Sequence, residues 1–280
     1  MERIRVIDVG ARDGIHERWQ PFHDRIEVRA FEPDRTECER LNLLPWPYPI
    51  RYLPVALGAN DGERATLHIC RQPGCSSVLR PNPGLCGDFA YARNMEIVEE
   101  RPIVLSRLDT VCADFLPDVL KADTQGTELS ILKGAGNLLD AALAVELEVE
   151  FIEQYAGQDL FPDIDVFMRS KGFMLRGLKR TYWRNHASYA HAHGGQLIHG
   201  DALYLRPEAM NSTKGHVILA AYHQYDLLAA FGAVRHIPKE PWIIRLLGKL
   251  LSGIPNRELR RFVDRVRPAT ASDWHDPDFF

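Results

Sequence analysis

The sequence predicts an α/β protein with a mostly parallel sheet, and three observations support this fold class. Short apolar runs such as RVIDVG, VRAFEP and VLKADTQG recur along the chain, with helical or turn-rich segments between them. Several runs end in an acidic residue or a glycine, as strands do where such sheets bind ligands. With 280 residues, of which 45% are hydrophobic, the chain can bury a large core. We therefore expect a site at the carboxyl ends of the strands.

Composition narrows the functional classes. The formal net charge of -4 gives no basic surface for a phosphate backbone, so we expect no nucleic-acid partner. The five cysteines include no CxxC pair, which argues against a disulfide framework and a structural zinc site. The chain starts on charged residues without an export signal, and Arg245 and Lys249 interrupt its most apolar C-terminal stretch. These features favour a cytoplasmic location.

The first run, VIDVGARDG at residues 6–14, has the pattern of a buried strand followed by a tight turn and a helix. The strand delivers Asp8, and Gly10 and Gly14 allow backbone amides to face a ligand. A dinucleotide fingerprint requires glycine at the position of Arg12, whose side chain would obstruct a pyrophosphate. The turn therefore suits a ligand without a diphosphate, although a tight turn without any ligand is the structural alternative.

The second run, VRAFEP, ends in Glu32 about 20 residues after the glycine turn. At this distance in a βαβ unit an acidic side chain accepts hydrogen bonds from both ribose hydroxyls. Glu32 is therefore a candidate ribose ligand, and the alternative is a solvated residue at a strand end.

The fourth run ends in Asp123 within LKADTQGTELSILKGA at residues 120–135. A carboxylate at this strand end could orient a substrate hydroxyl or act as a general base. The competing interpretation is that Asp123 caps a helix beginning near Thr124. Both interpretations stay open on the sequence alone.

The fifth run alternates Glu146, Glu148 and Glu150 with apolar residues, which places the three carboxylates on one face of a strand. A charged face on an internal strand is costly unless the charges are paired or used. We select Glu148 for substrate binding or base duty, and His16, just past the glycine turn, is a further candidate base.

Together these blocks resemble the FkbM family of S-adenosylmethionine (SAM)-dependent methyltransferases over roughly residues 4–206. VIDVGARDG, AFEPD, VALGANDGERATLHI, SSVLRPN, RLDTV, ELEVEFIEQYAGQDLF and DALYLRP follow the family's order, and LKADTQGTELSILKGA is the most specific match. The resemblance implies a class I methyltransferase fold, with a seven-stranded, mostly parallel sheet, an antiparallel last strand and helices on both faces.

The resemblance also implies the cofactor, SAM, and the residues that hold it. The third strand end departs from the family pattern, because Ala59 stands where an aspartate is common and Asp61 follows two positions later. The implied cofactor-binding residues are Asp8, Gly10, Ala11, Gly14, Glu32, Pro33, Asp61 and Asp123.

The family's activity implies O-methylation of a hydroxyl on a sugar in a glycan, glycolipid or natural product. Two rivals remain. A nicotinamide-dependent enzyme would require glycine in place of Arg12 and a hydride-transfer residue that we do not find. A non-catalytic SAM-binding scaffold that docks a partner through its C-terminal helices is the second, and Ala59 mildly favours it.

Histidines cluster in WRNHASYAHAHGGQLIHGD. An HxH pair on a strand could bind a metal, but the Gly, Ala, Ser and Tyr content favours a loop, and we assign no metal site. The aromatic residues Tyr182, Trp183 and Tyr189 would suit a sugar in a substrate loop. The histidines are His186, His191, His193 and His199.

We divide the chain into a methyltransferase domain over residues 1–210 and a helical C-terminal appendage with a tail over 211–280. The appendage carries apolar residues at helical spacing, separated by a break from Pro238 to Pro241. Packing against the catalytic domain is the default for its apolar face. A homodimer contact and a membrane-surface helix are the alternatives.

Overall fold

The computed structural model describes residues 2–86, 89–184 and 195–230. The chain divides into two compact units, Met1–Ala209 and Met210–Phe280. The strands are β1 Ile4–Val9, β2 Ile26–Phe31, β3 Ile50–Leu53, β4 Ala56–Leu57, β5 Arg64–Cys70, β6 Ile97–Ser106, β7 Val119–Ala122, β8 Ala144–Glu150, β9 Met174–Trp183 and β10 Gln196–Leu205. The α-helices are α1 Arg35–Asn42, α2 Pro83–Cys86, α3 Leu108–Val111, α4 Glu128–Lys133, α5 Asn137–Ala141, α6 Phe161–Ser170, α7 Thr213–Ala221 and α8 Tyr225–Ala230.

Seven strands form the main sheet in the order β3-β2-β1-β7-β8-β10-β9. The neighbours from β3 to β8 pair in parallel, whereas β10 runs antiparallel to both β8 and β9. The predicted fold class, a seven-stranded and mostly parallel sheet with an antiparallel last strand, is confirmed. Because β1, β2, β7 and β8 are parallel, their carboxyl ends lie at the same edge of the sheet.

Strand β8 is buried over its whole length and has two chemically different faces. Val145, Leu147 and Val149 belong to the main hydrophobic core, where residues of α4 and α6 also pack. The alternate residues are the three glutamates, which are buried as well, as the period of a strand requires. The sheet therefore has a charged face beside its site edge, and the charges on it must be compensated.

The prediction of a helix directly after the glycine turn is wrong. The chain forms instead a six-residue 3-10 helix, Glu17–Phe22, with Pro21 inside it. A proline removes a backbone donor and disfavours a longer α-helix at this point. His16 caps this short helix, since its Nδ1 accepts a hydrogen bond from the Arg18 amide over 3.1 Å.

A second, three-stranded sheet in the order β4-β6-β5 stands beside the main one and was not predicted. The run RYLPVALG, whose apolar residues predict a single strand, is divided between β3 of the main sheet and β4 of the small sheet. Strand β5 pairs antiparallel with β6 across the connection formed by residues 71–96.

The second unit begins with α7 and α8. The apolar stretch PWIIRLLGKLLSGI, predicted as a helix, lies outside the described residues, as do His186, Tyr189, His191 and His193. Among the helices that the structure describes, none combines the length and hydropathy needed to cross a membrane. The appendage over 211–280 as a separate domain stays a proposal.

Candidate active site

A cavity of about 460 Å³ lies at the carboxyl ends of β1, β2 and β7. We call it the first cavity. The connection between β5 and β6 supplies another part of its wall. Its lining includes Gly10, Glu32, Pro33, Asp123, Pro73 and Ser77.

Gly10 allows β1 and β7 to end very close together. Its φ is +77°, and a Cβ atom there would lie 1.9 Å from the backbone oxygen of Asp123. The amides of Gly10 and Ala11 both donate to the Phe31 carbonyl, and the Asp123 amide donates to the Val9 carbonyl, each over 3.0 Å. The three strand ends are thus hydrogen-bonded into one floor under the cavity, and only glycine fits this position.

Glu32 presents a buried carboxylate to the first cavity. It is 4% exposed, and its Oε1 accepts a hydrogen bond from the Asp34 amide over 2.7 Å. Burial raises the pKa of Glu32, while the Asp34 amide and the Arg12 guanidinium, 3.8 Å away, oppose that rise. An anchored carboxylate of this kind can accept hydrogen bonds from ligand hydroxyls.

Asp8 lies next to the cavity floor but does not line the cavity. It is 3% exposed, and its Oδ1 is 3.3 Å from the ammonium group of Lys121, which faces it from β7. In the same row of the sheet Lys121 stands opposite Glu146, whose carboxylate accepts two hydrogen bonds from the Arg18 guanidinium. Alternating charges therefore extend across β1, β7 and β8 beneath the site.

The two partners of this ion pair titrate differently. Burial raises the pKa of Asp8 to about 6, and the charge of Lys121 only partly offsets the cost of burial. Burial lowers the pKa of Lys121, but the carboxylates of Asp8, Asp123 and Glu146 outweigh it and raise the pKa overall. Because several carboxylates face Lys121, it keeps its proton, and Asp8 is the group that titrates.

We expect Asp8→Asn to change the pH dependence of stability. The pKa of Asp8 rises from its ordinary value of 3.8 to about 6 on folding, so this group stabilises the fold fully below pH 4 and loses that contribution as the pH rises through 6. The total loss is about 3 kcal/mol, at about 1.4 kcal/mol per pKa unit, and about 2 kcal/mol of it falls between pH 4.5 and 7. Urea unfolding of both proteins between pH 4.5 and 7 should show the wild type losing stability relative to the variant. A difference independent of pH would contradict this assignment.

The loop after β7 carries a strained residue that joins the predicted carboxylates. Gln125 has a φ of +62°, which is unusual for a residue with a side chain. Its Nε2 donates to Asp123 Oδ1 over 3.0 Å and to Glu148 Oε2 over 2.5 Å, and its Oε1 accepts a hydrogen bond from the Tyr155 hydroxyl. The sequence showed Gln125 only as part of a motif and gave no sign of this bridging role.

Asp123 does not cap a helix. The α4 helix begins at Glu128, with Thr127 at its N-cap position, so the capping interpretation is wrong. Asp123 instead lines the first cavity, with its Oδ2 3.8 Å from the Lys121 ammonium group.

A second cavity of about 310 Å³ adjoins the first, and Gly74 and Gln125 line both. Trp183 and Tyr91 contribute aromatic walls, with ring centroids 4.7 Å apart. Polar groups also face it. Its lining includes Tyr91, Gln125, Glu148, Thr181, Trp183 and His199.

Glu148 and His199 meet in the wall of the second cavity. The imidazole Nδ1 is 2.8 Å from Glu148 Oε1, although the atoms are not aligned as a hydrogen bond. Burial and neighbouring carboxylates raise the pKa of Glu148, and burial lowers the pKa of His199. The imidazole is therefore neutral at pH 7 and able to accept a proton.

The structure brings together only part of the predicted site. Ala11 and Gly14 are near the floor but do not line either cavity, and a Cβ on Gly14 would lie 2.8 Å from Trp46. His16 is exposed and also lies outside both linings. The predicted residues that line the first cavity are Gly10, Glu32, Pro33 and Asp123, and Glu148 lines the second.

The carboxylate of Asp61 is already used in hydrogen bonds outside the two cavities. Its carboxylate accepts hydrogen bonds from the Arg107 amide over 2.8 Å and from the Thr110 hydroxyl over 2.7 Å. These contacts fix the start of α3, and Asp61 lines neither cavity.

The strand order, with β10 antiparallel and a cavity at the carboxyl ends of the parallel strands, is that of the class I methyltransferase fold. The chain belongs to the FkbM methyltransferase family, because the methyltransferase FkbM domain matches residues 8–175, more than half of its length. SAM is its cofactor. Membership favours an enzyme over the scaffold alternative.

Comparison with solved structures gives several matches at low sequence identity. Magnesium protoporphyrin IX methyltransferase from Synechocystis PCC 6803, with bound SAM, is 11% identical, covering 73% of this chain and 71% of its own, with a TM-score of 0.38. A putative tRNA (m1A22) methyltransferase from Streptococcus pneumoniae is 11% identical, covering 95% and 90%, with a TM-score of 0.35. A search of curated proteins by sequence gave no significant match.

Proposed function

We propose that this enzyme transfers the methyl group of SAM to a sugar hydroxyl in a glycan, glycolipid or natural product. SAM occupies the first cavity, and the acceptor sugar occupies the second. The observation that carries the proposal is the shared wall of the two cavities, where Gln125 and Gly74 line both. Because the two cavities adjoin at these residues, a donor in one and an acceptor in the other could bring the methyl carbon and the acceptor oxygen into direct contact, as methyl transfer requires.

The first cavity supplies the cofactor end. Glu32 would accept hydrogen bonds from the ribose hydroxyls, and the Gly10 turn gives the cofactor access to the backbone of the strand ends. Pro33 completes this part of the wall.

The second cavity suits a sugar because it combines aromatic and hydrogen-bonding groups. The rings of Tyr91 and Trp183 can pack against the C–H face of a pyranose. The amide of Gln125, the carboxyl of Glu148 and the hydroxyl of Thr181 can bond its hydroxyl groups. Small-molecule sites commonly combine apolar walls with a few polar groups that fix orientation.

In the reaction the acceptor oxygen forms a bond to the methyl carbon as the carbon–sulfur bond of the sulfonium breaks. The hydroxyl proton must leave during this step, and we assign His199 as the general base that accepts it. Asp123 is held by Gln125 and faces Lys121, while a carboxylate oxygen of Glu148 lies 2.8 Å from the imidazole.

We expect Glu32→Gln to weaken SAM binding about 10-fold to 100-fold, because hydrogen bonds to a charged group contribute about 1.5–3 kcal/mol. Isothermal titration with SAM measures the effect. The matched control is Glu27→Gln, which changes a half-buried glutamate on β2, the strand that leads to Glu32, outside the lining of the first cavity. Equal affinities for the two variants would rule out the ribose assignment.

Incubation with radiolabelled SAM and fractionated glycans, glycolipids and small sugar conjugates tests the function. We expect label in a sugar fraction, in a linkage stable to mild base, as a methyl ether is. Total RNA serves as the comparison acceptor and should stay unlabelled. Label in RNA, or in no fraction although SAM binds, would overturn the proposed acceptor.

A further inference from the structure

Three buried carboxylates from two different elements lie close together, and one of them, Glu148, lines the second cavity. Glu128 opens α4, and Glu148 and Glu150 alternate along β8. One carboxylate oxygen from each lies within 4.8 Å of the others. Their relative exposures are 1%, 8% and 0%.

Like charges in such a place require compensation. Among the described residues, no lysine or arginine side chain approaches these three carboxylates within ion-pair distance, and the closest basic group is the imidazole of His199. Either protons or a cation must neutralise the cluster.

Glu150 distinguishes the cluster from an ordinary acidic patch. It is completely buried, and neither of its carboxylate oxygens has a hydrogen-bond partner. An orphaned carboxylate is costly unless something binds it. Since its oxygen lies within 4.8 Å of those of Glu128 and Glu148, it faces the same small space.

The other two glutamates are held as metal ligands usually are. Glu128 accepts hydrogen bonds from the Thr124 and Gly126 amides, over 2.6 and 3.0 Å. Glu148 accepts one from Gln125. Such bonds fix the orientation of a ligating carboxylate and leave lone pairs for an ion.

We propose that Glu128, Glu148 and Glu150 bind one divalent cation with a preference for oxygen ligands, of the Mg²⁺ and Mn²⁺ class. Metal–oxygen distances of about 2.0–2.6 Å separate ligand oxygens around one ion by at most about 4–5 Å, which agrees with the spacing of the cluster. Since Glu148 also lines the second cavity, the ion would lie next to the acceptor. Its contribution to methyl transfer, as a Lewis acid for the acceptor oxygen, rests on the proposed function, but its binding does not.

Titration of the full-length, chelator-treated protein with Mn²⁺, followed by the electron paramagnetic resonance signal of the free ion, tests the site. We expect one bound Mn²⁺ per chain, displaced by excess Mg²⁺. Glu150→Gln should weaken binding at least about 10-fold, and Glu148→Gln serves as the second ligand variant if the first does not fold. The control is Glu27→Gln, which neutralises a half-buried glutamate on β2 that is not part of the cluster and should change affinity less than about threefold.

Absence of stoichiometric binding, or equal affinity in the wild type and both ligand variants, would overturn the cation site and show that protons neutralise the cluster. The two proposals fail separately. Mn²⁺ binding without methylation of any sugar would leave the cation site and remove the acceptor. Sugar methylation by a protein that binds no Mn²⁺ would do the reverse.

Discussion

Replacing His199 with glutamine is expected to lower kcat for methyl transfer about 100-fold to 10,000-fold while leaving the affinity for SAM unchanged. General-base catalysis contributes an effect of this size, and glutamine keeps a polar side chain but cannot take the proton. His199 lines the second cavity and not the first, so the cofactor should bind as before. Steady-state kinetics on the labelled acceptor, with calorimetry for SAM, provide the two readouts.

The control for this experiment is a second histidine that lies beside a carboxylate. His68 Nδ1 is 3.1 Å from Glu100 Oε1, and His68 lines neither cavity. We expect His68→Gln to retain kcat within about threefold. If His199→Gln changed KM but left kcat unaltered, or if both variants lost activity equally, His199 would not be the proton acceptor.

Gly10→Ala is expected to abolish measurable SAM binding and to lower the free energy of unfolding by about 2–6 kcal/mol. Strain at a positive φ contributes about 1–3 kcal/mol, and overpacking contributes about 1–3 kcal/mol more. The new methyl group would lie 1.9 Å from the Asp123 backbone oxygen, so β1 and β7 would have to separate beneath the first cavity. Thermal unfolding with and without SAM measures both effects.

Gly62 provides a matched control because it has nearly the same backbone conformation in open space. Its φ is +75°, and a Cβ atom there would meet no atom within 4 Å. Gly62→Ala should therefore cost only the backbone strain, about 1 kcal/mol, and should bind SAM normally. If the two alanine variants were equally stable and bound SAM equally, the close approach of the strand ends would not matter for the site.

The main sheet could be predicted because its strands carry local signals. Strands β1, β2 and β7 are short, mainly apolar runs whose ends are marked by Gly10, Glu32 and Asp123, and β8 alternates apolar residues with glutamates. The predictions of secondary structure were wrong where a local sequence pattern is compatible with two structures. A glycine turn followed by polar residues fits an α-helix, but Pro21 leaves only a 3-10 helix. The run containing Leu53 and Leu57 reads as one strand, although the chain divides it between two sheets.

The site was less predictable than the fold because its pairs are distant in sequence. Glu148 was chosen for its place on β8. Its neighbour His199 lies on β10, opposite Glu150, and only the antiparallel register of β10 brings the two side chains together. The local sequence grouped His199 with three histidines of a loop. Likewise, Asp61 has the composition of a ligand residue, and only the position of α3 explains why its oxygens are already used. Contacts of this kind become visible only when strands are placed side by side.

The position of Gln125 in the wall of both cavities has a thermodynamic consequence. Cofactor and acceptor would contact the same side chain, which is also tied to Asp123, Glu148 and Tyr155. If SAM changes the orientation of Gln125 and so alters acceptor affinity by some factor, the acceptor must alter SAM affinity by the same factor. The two binding equilibria are then linked through one amide. Loss of the methyl group from the cofactor would therefore change the affinity of the enzyme for the methylated product, which has to dissociate.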